Sequence, residues 1–317
     1  MNTEINYSFV IPHHNTPDLL QRLINSIPQR EDIEIIVVDD NSDEDKKANI
    51  TRSDVKTIYI DKEHTNGAGL ARNVGMDATT GKWLLFADAD DFYKPGFIDI
   101  LDEYKDDDIE MLFFNIDSVD SDTLKPNRRS SIHNKLIAQY DGSVKASKNI
   151  LYMGYAPWRR MLLSEYVKKH GFRFEEIVRG NDRFFSIQVS FFARKWKVDQ
   201  RAVYTLTHNN ESLTYSKITK EKYVTLMIMF RRNAEFYKYI GHSEWNRKSI
   251  RGIFSQSRIS YLYRLFRREP MTAFQATFYM LTHWLEMERK ASYYVDVVKD
   301  IQHKMACRDI LKSNTIM

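Results

Sequence analysis

Residues 83–91 read WLLFADADD, an apolar run that leads directly into three carboxylates within four positions. Carboxylates this close repel one another and resist leaving water, so a positive group normally lies among them. Asp88 and Asp90 are spaced so that both can reach one hard divalent ion, which can also bind phosphate oxygens. The alternative is that these acids only form a turn and cap the helix that follows Pro95. A buried strand that ends in acids favours a Mg²⁺ or Mn²⁺ site.

The segments before this stretch alternate between strands and helices. The pattern predicts strands at Tyr7–Ile11, Ile33–Val38, Val55–Ile60 and Trp83–Ala87, with helices after Thr16-Pro17 and after the turn at residues 66–69. Ile33–Val38 is apolar throughout, as is typical of a central strand in a parallel sheet. This alternation predicts a doubly wound, mostly parallel α/β sheet with flanking helices, in which ligands bind at the carboxyl ends of the strands.

The rest of the chain has a less regular pattern. We predict a helix at Phe97–Tyr104, a strand at Met111–Ile116, a polar irregular stretch at Ser118–Lys148, a helix at Met161–His170, a helix after Gly180, a strand at Val203–Leu206 and helices from Ile218 onward. The C-terminal region is therefore expected to be all-helical.

Composition indicates a globular protein. The 317-residue chain is 43% hydrophobic, which is enough for one large domain or two ordinary ones. Its single cysteine, Cys307, excludes an internal disulfide and a multi-cysteine zinc site. The first residues, MNTEINYSFVIPHHN, do not form a secretory signal, and no apolar run approaches the roughly 20 residues of a membrane-spanning helix. These features predict a cytoplasmic protein, for which any attachment to the inner face of the cell membrane would be peripheral.

Charge is unevenly distributed along the chain. Residues 216–317 contain 19 Lys and Arg but only 9 Asp and Glu, and aromatic residues are interleaved with the basic ones. Helices of this composition can lie on an anionic membrane surface. An equally open alternative is a helical layer whose aromatic side chains face a core and whose arginines face water. No recognisable nucleic-acid-binding module accompanies the charge, so nucleic acid is not an expected partner.

Several stretches together resemble a known enzyme family. IPHHNTPDLLQRLINSI, IEIIVVDDNSDE and NGAGLARNVGMDATTGKWLLFADADD cover about residues 7–95 and resemble the nucleotide-sugar half of family 2 glycosyltransferases, which are inverting enzymes with the GT-A fold. PWRRMLL, FEEIVRGNDRFF and VYTLTHNNESLT resemble the acceptor half more weakly. The resemblance implies a nucleotide-sugar-binding α/β half at 1–117, an acceptor-binding half at 118–216 that completes the GT-A domain, and a basic helical C-terminal region at 217–317.

The resemblance implies a set of donor-binding residues, namely Pro12, His13, Asn15, Asp40, Arg72, Asp88 and Ala89. The first three would line the nucleobase pocket, and Asp40 would bind the base, usually uracil. From the residues alone, a capping role is the stronger explanation of Asp40.

The same resemblance assigns roles around the diphosphate. Asp90 would be the direct metal ligand, Asp88 would contact the ion or the ribose, and Asp91 would support them. Arg72 would lie near the diphosphate. The residues alone also allow a solvated surface arginine, since GAGLAR lacks the third glycine of a phosphate loop.

The acceptor half contains the implied catalytic base. Asp182 matches the base of the family because Phe185 follows three positions later, although Asn181 stands where the family usually has glutamate. Trp158 and Arg160 match an aromatic and a basic position of the substrate cleft. His208 lies near a position that supplies an extra ligand in some relatives, and an ordinary core or surface histidine is the alternative.

The resemblance implies transfer of a sugar from a nucleotide sugar, most often a UDP-sugar, to a hydroxyl of a saccharide or lipid-linked saccharide in bacterial cell-surface polysaccharide synthesis. The transfer would be of the inverting, hexosyltransferase type and would depend on Mn²⁺ or Mg²⁺. One alternative is a phosphotransferase of the haloacid dehalogenase type, but Asp91 and Phe92 follow the acidic pair where that family has a small hydroxyl residue. Another is a membrane-associated protein that binds nucleotide sugars without catalysis.

Overall fold

The computed structural model describes residues 4–50, 52–65, 67–177 and 180–208, together with 229, 232–238, 241 and 247. Its strands are β1 (Tyr7–His13), β2 (Ile33–Asp40), β3 (Val55–Ile60), β4 (Trp83–Phe86), β5 (Phe92–Tyr93), β6 (Met111–Asp120), β7 (Arg160–Leu163) and β8 (Trp196–His208). Its helices are α1 (Pro17–Ser26), α2 (Ala68–Asp77), α3 (Phe97–Asp102), α4 (Ser131–Ala138), α5 (Val144–Met153), α6 (Ser164–His170) and α7 (Asn181–Phe192), with short 3₁₀ helices at Glu44–Lys46 and Pro157–Arg159.

The eight strands of the described residues form one sheet in the order β3-β2-β1-β4-β7-β6-β8-β5. β1 pairs in parallel with β2 and β4, and β2 pairs in parallel with β3. β7 runs antiparallel between β4 and β6, β6 is parallel to β8, and β5 is antiparallel to β8. The predicted parallel α/β arrangement is confirmed for β1–β4, and the antiparallel strands make the complete sheet mixed.

Apolar side chains explain how the first half packs. Every residue of β2 except Glu34 is buried, as expected for a strand that is covered on both faces. α1 has Pro17 in its first turn and buries Leu20, Leu23 and Ile24 in the main core. Because β1, β2 and β4 are parallel neighbours, the polar residues that follow them meet at one edge of the sheet.

The prediction of an irregular stretch at Ser118–Lys148 is wrong. β6 continues to Asp120, and α4 and α5 follow within this stretch. α4 buries only Leu136 and Ile137, so its helical periodicity in the sequence is weak. The start of α5 did carry a local signal, since the hydroxyl of Ser143 accepts a hydrogen bond from the Ala146 N–H at 3.2 Å as an N-cap.

The prediction of a helix at Met161–His170 is wrong for its first three residues. Those residues belong to β7, and α6 begins only at Ser164. Leu162 pairs with Leu84 on β4 and with Met111 on β6, so the segment fills the gap between two strands. Pairing partners that are distant in sequence override the local helical preference.

A close backbone approach places the loop before α7 against α2. A Cβ atom on Gly69 would lie 1.9 Å from the carbonyl oxygen of Glu175, so only glycine fits at this contact. Asn73 reinforces the contact, since its amide donates to the Phe174 carbonyl at 3.0 Å and accepts from the Phe174 N–H at 2.8 Å. The first turn of α7 is thereby held beside α2.

The chain divides into two compact units, Met1–Ser216 and Lys217–Met317. In the first unit, the predicted boundary between the donor-binding and acceptor-binding halves, at residues 117 and 118, falls inside β6. Both halves therefore belong to one sheet. In the second unit residues 232–238 are helical. Most of the basic region and of the predicted C-terminal helices lies outside the described residues. Within the described ranges, no helix combines the length and the apolar character that crossing a membrane requires.

Candidate active site

The acidic loop after β4 directs its three carboxylates into different surroundings. Asp91 is 1% exposed, and its Oδ2 accepts a hydrogen bond from the Tyr204 hydroxyl at 2.8 Å while its Oδ1 accepts one from the Thr207 N–H at 2.7 Å. The same tyrosine hydroxyl accepts a hydrogen bond from the Asp88 N–H at 2.9 Å. Asp91 therefore anchors the loop to β8, which leaves Asp88 and Asp90 as the carboxylates that a ligand can use.

The backbone of this loop is fixed from a second side. The Asp90 carbonyl accepts hydrogen bonds from the Thr207 hydroxyl at 2.7 Å and from Nη2 of Arg22 at 2.6 Å. Arg22 lies on α1, and its guanidinium also packs 5.2 Å from the ring centre of Phe92. Contacts to both α1 and β8 hold the acidic loop in one position, as a binding site requires.

The carboxylates of Asp88 and Asp90 repel each other. Burial, and then the charge of Asp88, raise the pKa of Asp90 to about 6. The Asp88 side chain remains 35% exposed. Adjacent carboxylates of this kind are stabilised in their charged form by a nearby cation.

This pair suits a divalent ion that takes its remaining ligands from phosphates and water. Mg²⁺ is commonly held in this way, by one or two carboxylates together with substrate phosphate oxygens. In the part of the chain that the structure describes, no group of three or more His, Cys, Asp or Glu side chains is placed to hold a metal ion. Asp88 and Asp90 therefore fit an ion that is shared with a phosphorylated ligand better than a closed structural site.

Arg72 connects the acidic loop to the first turn of α7. Its Nη2 donates to Oδ1 of Asp88 at 2.5 Å, and its Nη1 donates to Oδ1 of Asn181 at 2.9 Å. The guanidinium is 6% exposed and lies 5.3 Å from the ring centre of Phe174. Arg72 is therefore a buried link between two parts of the site and not a solvated surface arginine.

Asp182 follows Asn181 on α7 and shares this charged environment. Burial raises its pKa above the ordinary carboxyl value, while Arg72 lowers the pKa and Asp88 raises it. A carboxylate whose pKa is moved towards neutral pH accepts a proton more readily than an ordinary one. Arg72 contacts Asp88, and both of their charges act on Asp182. Three of the predicted residues are therefore neighbours.

His13 lies at the end of β1 with both ring nitrogens occupied. Its Nε2 accepts a hydrogen bond from the Thr16 N–H at 3.1 Å, so the proton lies on Nδ1, which donates to Oδ2 of Asp39 at 2.8 Å. His13 and Asp39 are each 1% exposed. We interpret His13 as a support for the loop after β1, which leaves no ring nitrogen for a nucleobase.

Asp40 and Asn15 lie at the same edge of the sheet. Asp40 is 7% exposed, and its Oδ1 accepts a hydrogen bond from the Thr65 hydroxyl at 2.7 Å, which ties β2 to the segment before α2. Asn15 has a φ of 58°, and its Oδ1 accepts from the Asp43 N–H at 2.7 Å. Pro12, one residue before the end of β1, is half-buried. The predicted nucleobase residues therefore share one edge, beside the acidic loop.

Comparison with known protein families decides which family this chain represents. The model of glycosyl transferase family 2 matches residues 8–171, which is more than half of the chain and includes the acidic loop. The chain belongs to glycosyl transferase family 2. It is therefore a glycosyltransferase, and the phosphotransferase alternative is wrong.

Two bacterial proteins are among the relatives of this glycosyltransferase. The putative glycosyltransferase EpsH of Bacillus subtilis is 22% identical over 259 residues, which are 77% of this chain and 72% of EpsH. The Campylobacter jejuni protein named GalNAc(5)-diNAcBac-PP-undecaprenol beta-1,3-glucosyltransferase is 33% identical over 100 residues, which are 30% of this chain and 32% of that protein.

Solved structures with a similar fold include the fragment 1–349 of S. aureus TarS in complex with UDP-GlcNAc. It matches this glycosyltransferase with a TM-score of 0.55 and 18% identity over 71% of this chain and 66% of the TarS chain. At this identity the likeness concerns the fold alone. It confirms the predicted GT-A type of sheet with flanking helices.

Trp158 and Arg160, the two residues predicted to lie in the substrate cleft, are both buried. The ring of Trp158 stacks on the ring of Tyr204, with centroids 5.5 Å apart and planes 8° apart. The guanidinium of Arg160 is buried, donates to the Ser186 carbonyl at 3.0 Å and also donates to the Gly154 carbonyl. Arg160 therefore holds α7 to the end of α5, and Trp158 supports the tyrosine that anchors the loop.

The last two predicted residues differ in what they can contact. Ala89 is 8% exposed and belongs to the core, so little of its side chain is left for a ligand. His208 ends β8 directly after Thr207, which places it at the edge of the sheet near the acidic loop. The loop's anchors Tyr204, Thr207 and Arg22 carry no sequence signal, because their partners are backbone groups and a buried acid far away in the chain.

Proposed function

We propose that this glycosyltransferase moves a sugar from a UDP-sugar to a hydroxyl of a saccharide or lipid-linked saccharide, with inversion at the anomeric carbon and with Mn²⁺ or Mg²⁺. The observation that carries the proposal is the Arg72 link, which joins Asp88 of the acidic loop to Asn181, next to Asp182. This link supports a leaving-group site and a candidate base that lie close to each other.

The donor and the acceptor are supported by different relatives. TarS binds UDP-GlcNAc in its crystal structure, which supports a UDP-sugar donor. The name of the C. jejuni relative specifies glucosyl transfer to an undecaprenol-linked saccharide, which supports a lipid-linked acceptor in polysaccharide assembly. Asp40, Asn15 and Pro12 are our candidates for the nucleobase end of the donor.

Inverting transfer is a single in-line displacement that needs a base and a stabilised leaving group. Asp182 would accept the proton of the acceptor hydroxyl as it attacks, which commonly contributes about 10²- to 10⁴-fold to the rate. Asp88 and Asp90 would hold the divalent ion, which when bound offsets the negative charge of the departing diphosphate. Arg72 would keep Asp88 oriented and add positive charge on the same side.

A panel of nucleotide sugars tests the reaction class. We expect release of UDP from at least one UDP-sugar in the presence of Mn²⁺ or Mg²⁺, and no release when EDTA removes the metal. The measurement is a coupled assay for free nucleoside diphosphate, carried out with ADP-, GDP- and UDP-linked sugars. Release from GDP- or ADP-sugars alone would contradict the donor assignment, and undiminished release in EDTA would contradict the metal.

We also propose that the basic region from residue 217 binds an anionic membrane surface, which would place the enzyme beside a lipid-linked acceptor. The 19 Lys and Arg against 9 Asp and Glu in residues 216–317 support this. The full-length protein is expected to sediment with phosphatidylglycerol vesicles at low salt, less so at high salt, and not with phosphatidylcholine vesicles. Absence of binding to phosphatidylglycerol at low salt would contradict the proposal.

A further inference from the structure

A cluster of positive and neutral donor side chains lies beside the acidic loop, on the side away from the nucleobase residues. It consists of Arg129, His133 and Arg159. In the sheet order, β2 and β1 carry the nucleobase candidates, β4 carries the acidic loop, and β6 and β8 lie beyond it. α4, which carries His133, packs against β6 and β8. The cluster is therefore on the side of the acidic loop away from the nucleobase candidates.

Arg159 is the deepest member of the cluster. It is 0% exposed, and among the described residues its Nε and Nη2 have no hydrogen-bond partner. None of the ion pairs among the described residues includes Arg159 or Arg129. Buried arginines are normally paired with an acid, because an unpaired charge in the interior is strongly unfavourable. A positive charge without an acidic partner favours an anionic ligand.

His133 contacts Arg159 and is itself partly exposed. Its Nδ1 accepts a hydrogen bond from Nη1 of Arg159 at 3.4 Å, which leaves the ring proton on Nε2 as a donor. Burial, followed by the charges of Arg159 and Arg129, lowers the pKa of His133 to about 4, so the ring is neutral at pH 7. The His133 side chain is half-buried, and its ring contacts Trp158 edge-on at 5.2 Å. His133 can therefore donate to a ligand without adding another charge.

Arg129 connects the cluster directly to the acidic loop. Its Nη1 donates to the carbonyl of Thr207, the residue whose N–H and hydroxyl bind Asp91 and the Asp90 carbonyl. Arg129 is half-buried and its charge lowers the pKa of Asp90. A group bound by Arg129 would thus lie close to the acidic loop.

We propose that Arg129 and His133, with the buried charge of Arg159 behind His133, form an anion-binding subsite that receives a phosphate group carried by the acceptor. The subsite rests on the proposed function, since it names the class of acceptor that the same site would use. Charged and neutral N–H donors that form no ion pair within the described part of the chain match the oxygens of a phosphate. Their position beyond the acidic loop, away from β2, separates this phosphate from the diphosphate of the donor.

Binding of glycerol 3-phosphate, with glycerol as the uncharged comparison, tests the subsite. Phosphorus NMR titrations would compare wild type with Arg129→Gln and His133→Gln, each with and without UDP. Arg128→Gln is the matched control, because Arg128 is the exposed neighbour in sequence. We expect Arg129→Gln and His133→Gln to weaken glycerol 3-phosphate binding by about 10- to 100-fold and 3- to 10-fold respectively, and Arg128→Gln to leave it unchanged.

Affinity for UDP, measured by calorimetry on the same proteins, distinguishes the two phosphate sources. Unchanged UDP affinity in His133→Gln, which does not contact the acidic loop among the described residues, together with weaker glycerol 3-phosphate binding, supports an acceptor subsite. An equal loss of affinity for UDP would overturn it, because the cluster would then serve the donor diphosphate. Equal binding of glycerol 3-phosphate by Arg129→Gln and Arg128→Gln would overturn it as well. If neither the wild type nor any variant binds UDP, the proposed function is wrong. The glycerol 3-phosphate titrations without UDP would still test the subsite.

Discussion

Asp182→Asn is expected to lower kcat by about 10²- to 10⁴-fold while the affinity for UDP stays within about twofold of wild type. The substitution keeps the size of the side chain but removes its ability to accept a proton. Asp182 lies next to Asn181, which Arg72 holds, so the donor side of the site is expected to keep its geometry. Steady-state transfer assays and calorimetry with UDP would separate the two quantities.

Asp99→Asn provides the matched control for this change. Asp99 is likewise an acid in the first turn of a helix, α3, but it is exposed. We expect Asp99→Asn to leave kcat unchanged.

The pH dependence of the wild-type enzyme gives a separate prediction. Because burial raises the pKa of Asp182, we expect the acidic limb of the kcat profile to lie above the ordinary carboxyl pKa, which is about 4. Transfer by Asp182→Asn at the native rate would show that another group acts as the base.

Asp90→Asn should remove the metal dependence of donor binding. An amide is a poor ligand for Mg²⁺ in comparison with a carboxylate. Mutation of residues that only support the ligands commonly lowers metal affinity or activity by about 10- to 100-fold, and replacement of a direct ligand should lower it further. We therefore expect the KM for the donor to rise by more than about tenfold and to respond little to added Mn²⁺. Titration of the rate with Mn²⁺ at several donor concentrations would measure both effects.

Stability measurements show whether Asp90→Asn is correctly folded. The pKa of Asp90 is about 6 in the folded protein, above the ordinary carboxyl value of 3.8. A raised carboxyl pKa stabilises the folded state below the unfolded value, and this stabilisation is lost as the pH rises through about 6. The ligand-free variant should then be at least as stable as wild type at pH 7, with a smaller difference at pH 4. A large loss of thermal stability at pH 7, or an unchanged response to Mn²⁺, would contradict our account of Asp90.

The sequence predicts the first half of the fold better than the second because the two halves are built differently. β2 is buried on both faces, so its run of apolar residues is visible without knowledge of its neighbours. β7 is a four-residue strand that is defined by pairing with β4 and β6, and its residues have no strand pattern of their own. α4 and α5 bury few side chains, which leaves only the Ser143 cap as a local signal.

The candidate site divides in the same way between local and distant signals. Asp88 and Asp90 stand out because a strand ends in them, and Asp182 was found through its resemblance to the family base. Arg72 was ambiguous in sequence, since its role depends on Asn181, which is 109 residues away. Tyr204 and the cluster around Arg159 were not predicted, because their chemistry comes from burial and from partners that only the fold brings together.

The most direct test of the central claim is calorimetry of UDP binding to the wild-type protein, with Mn²⁺ and again with EDTA. If Asp88 and Asp90 share a divalent ion with the diphosphate, the affinity for UDP should fall by at least about tenfold when EDTA removes the metal. Equal affinity under both conditions would contradict the claim that these carboxylates hold the ion.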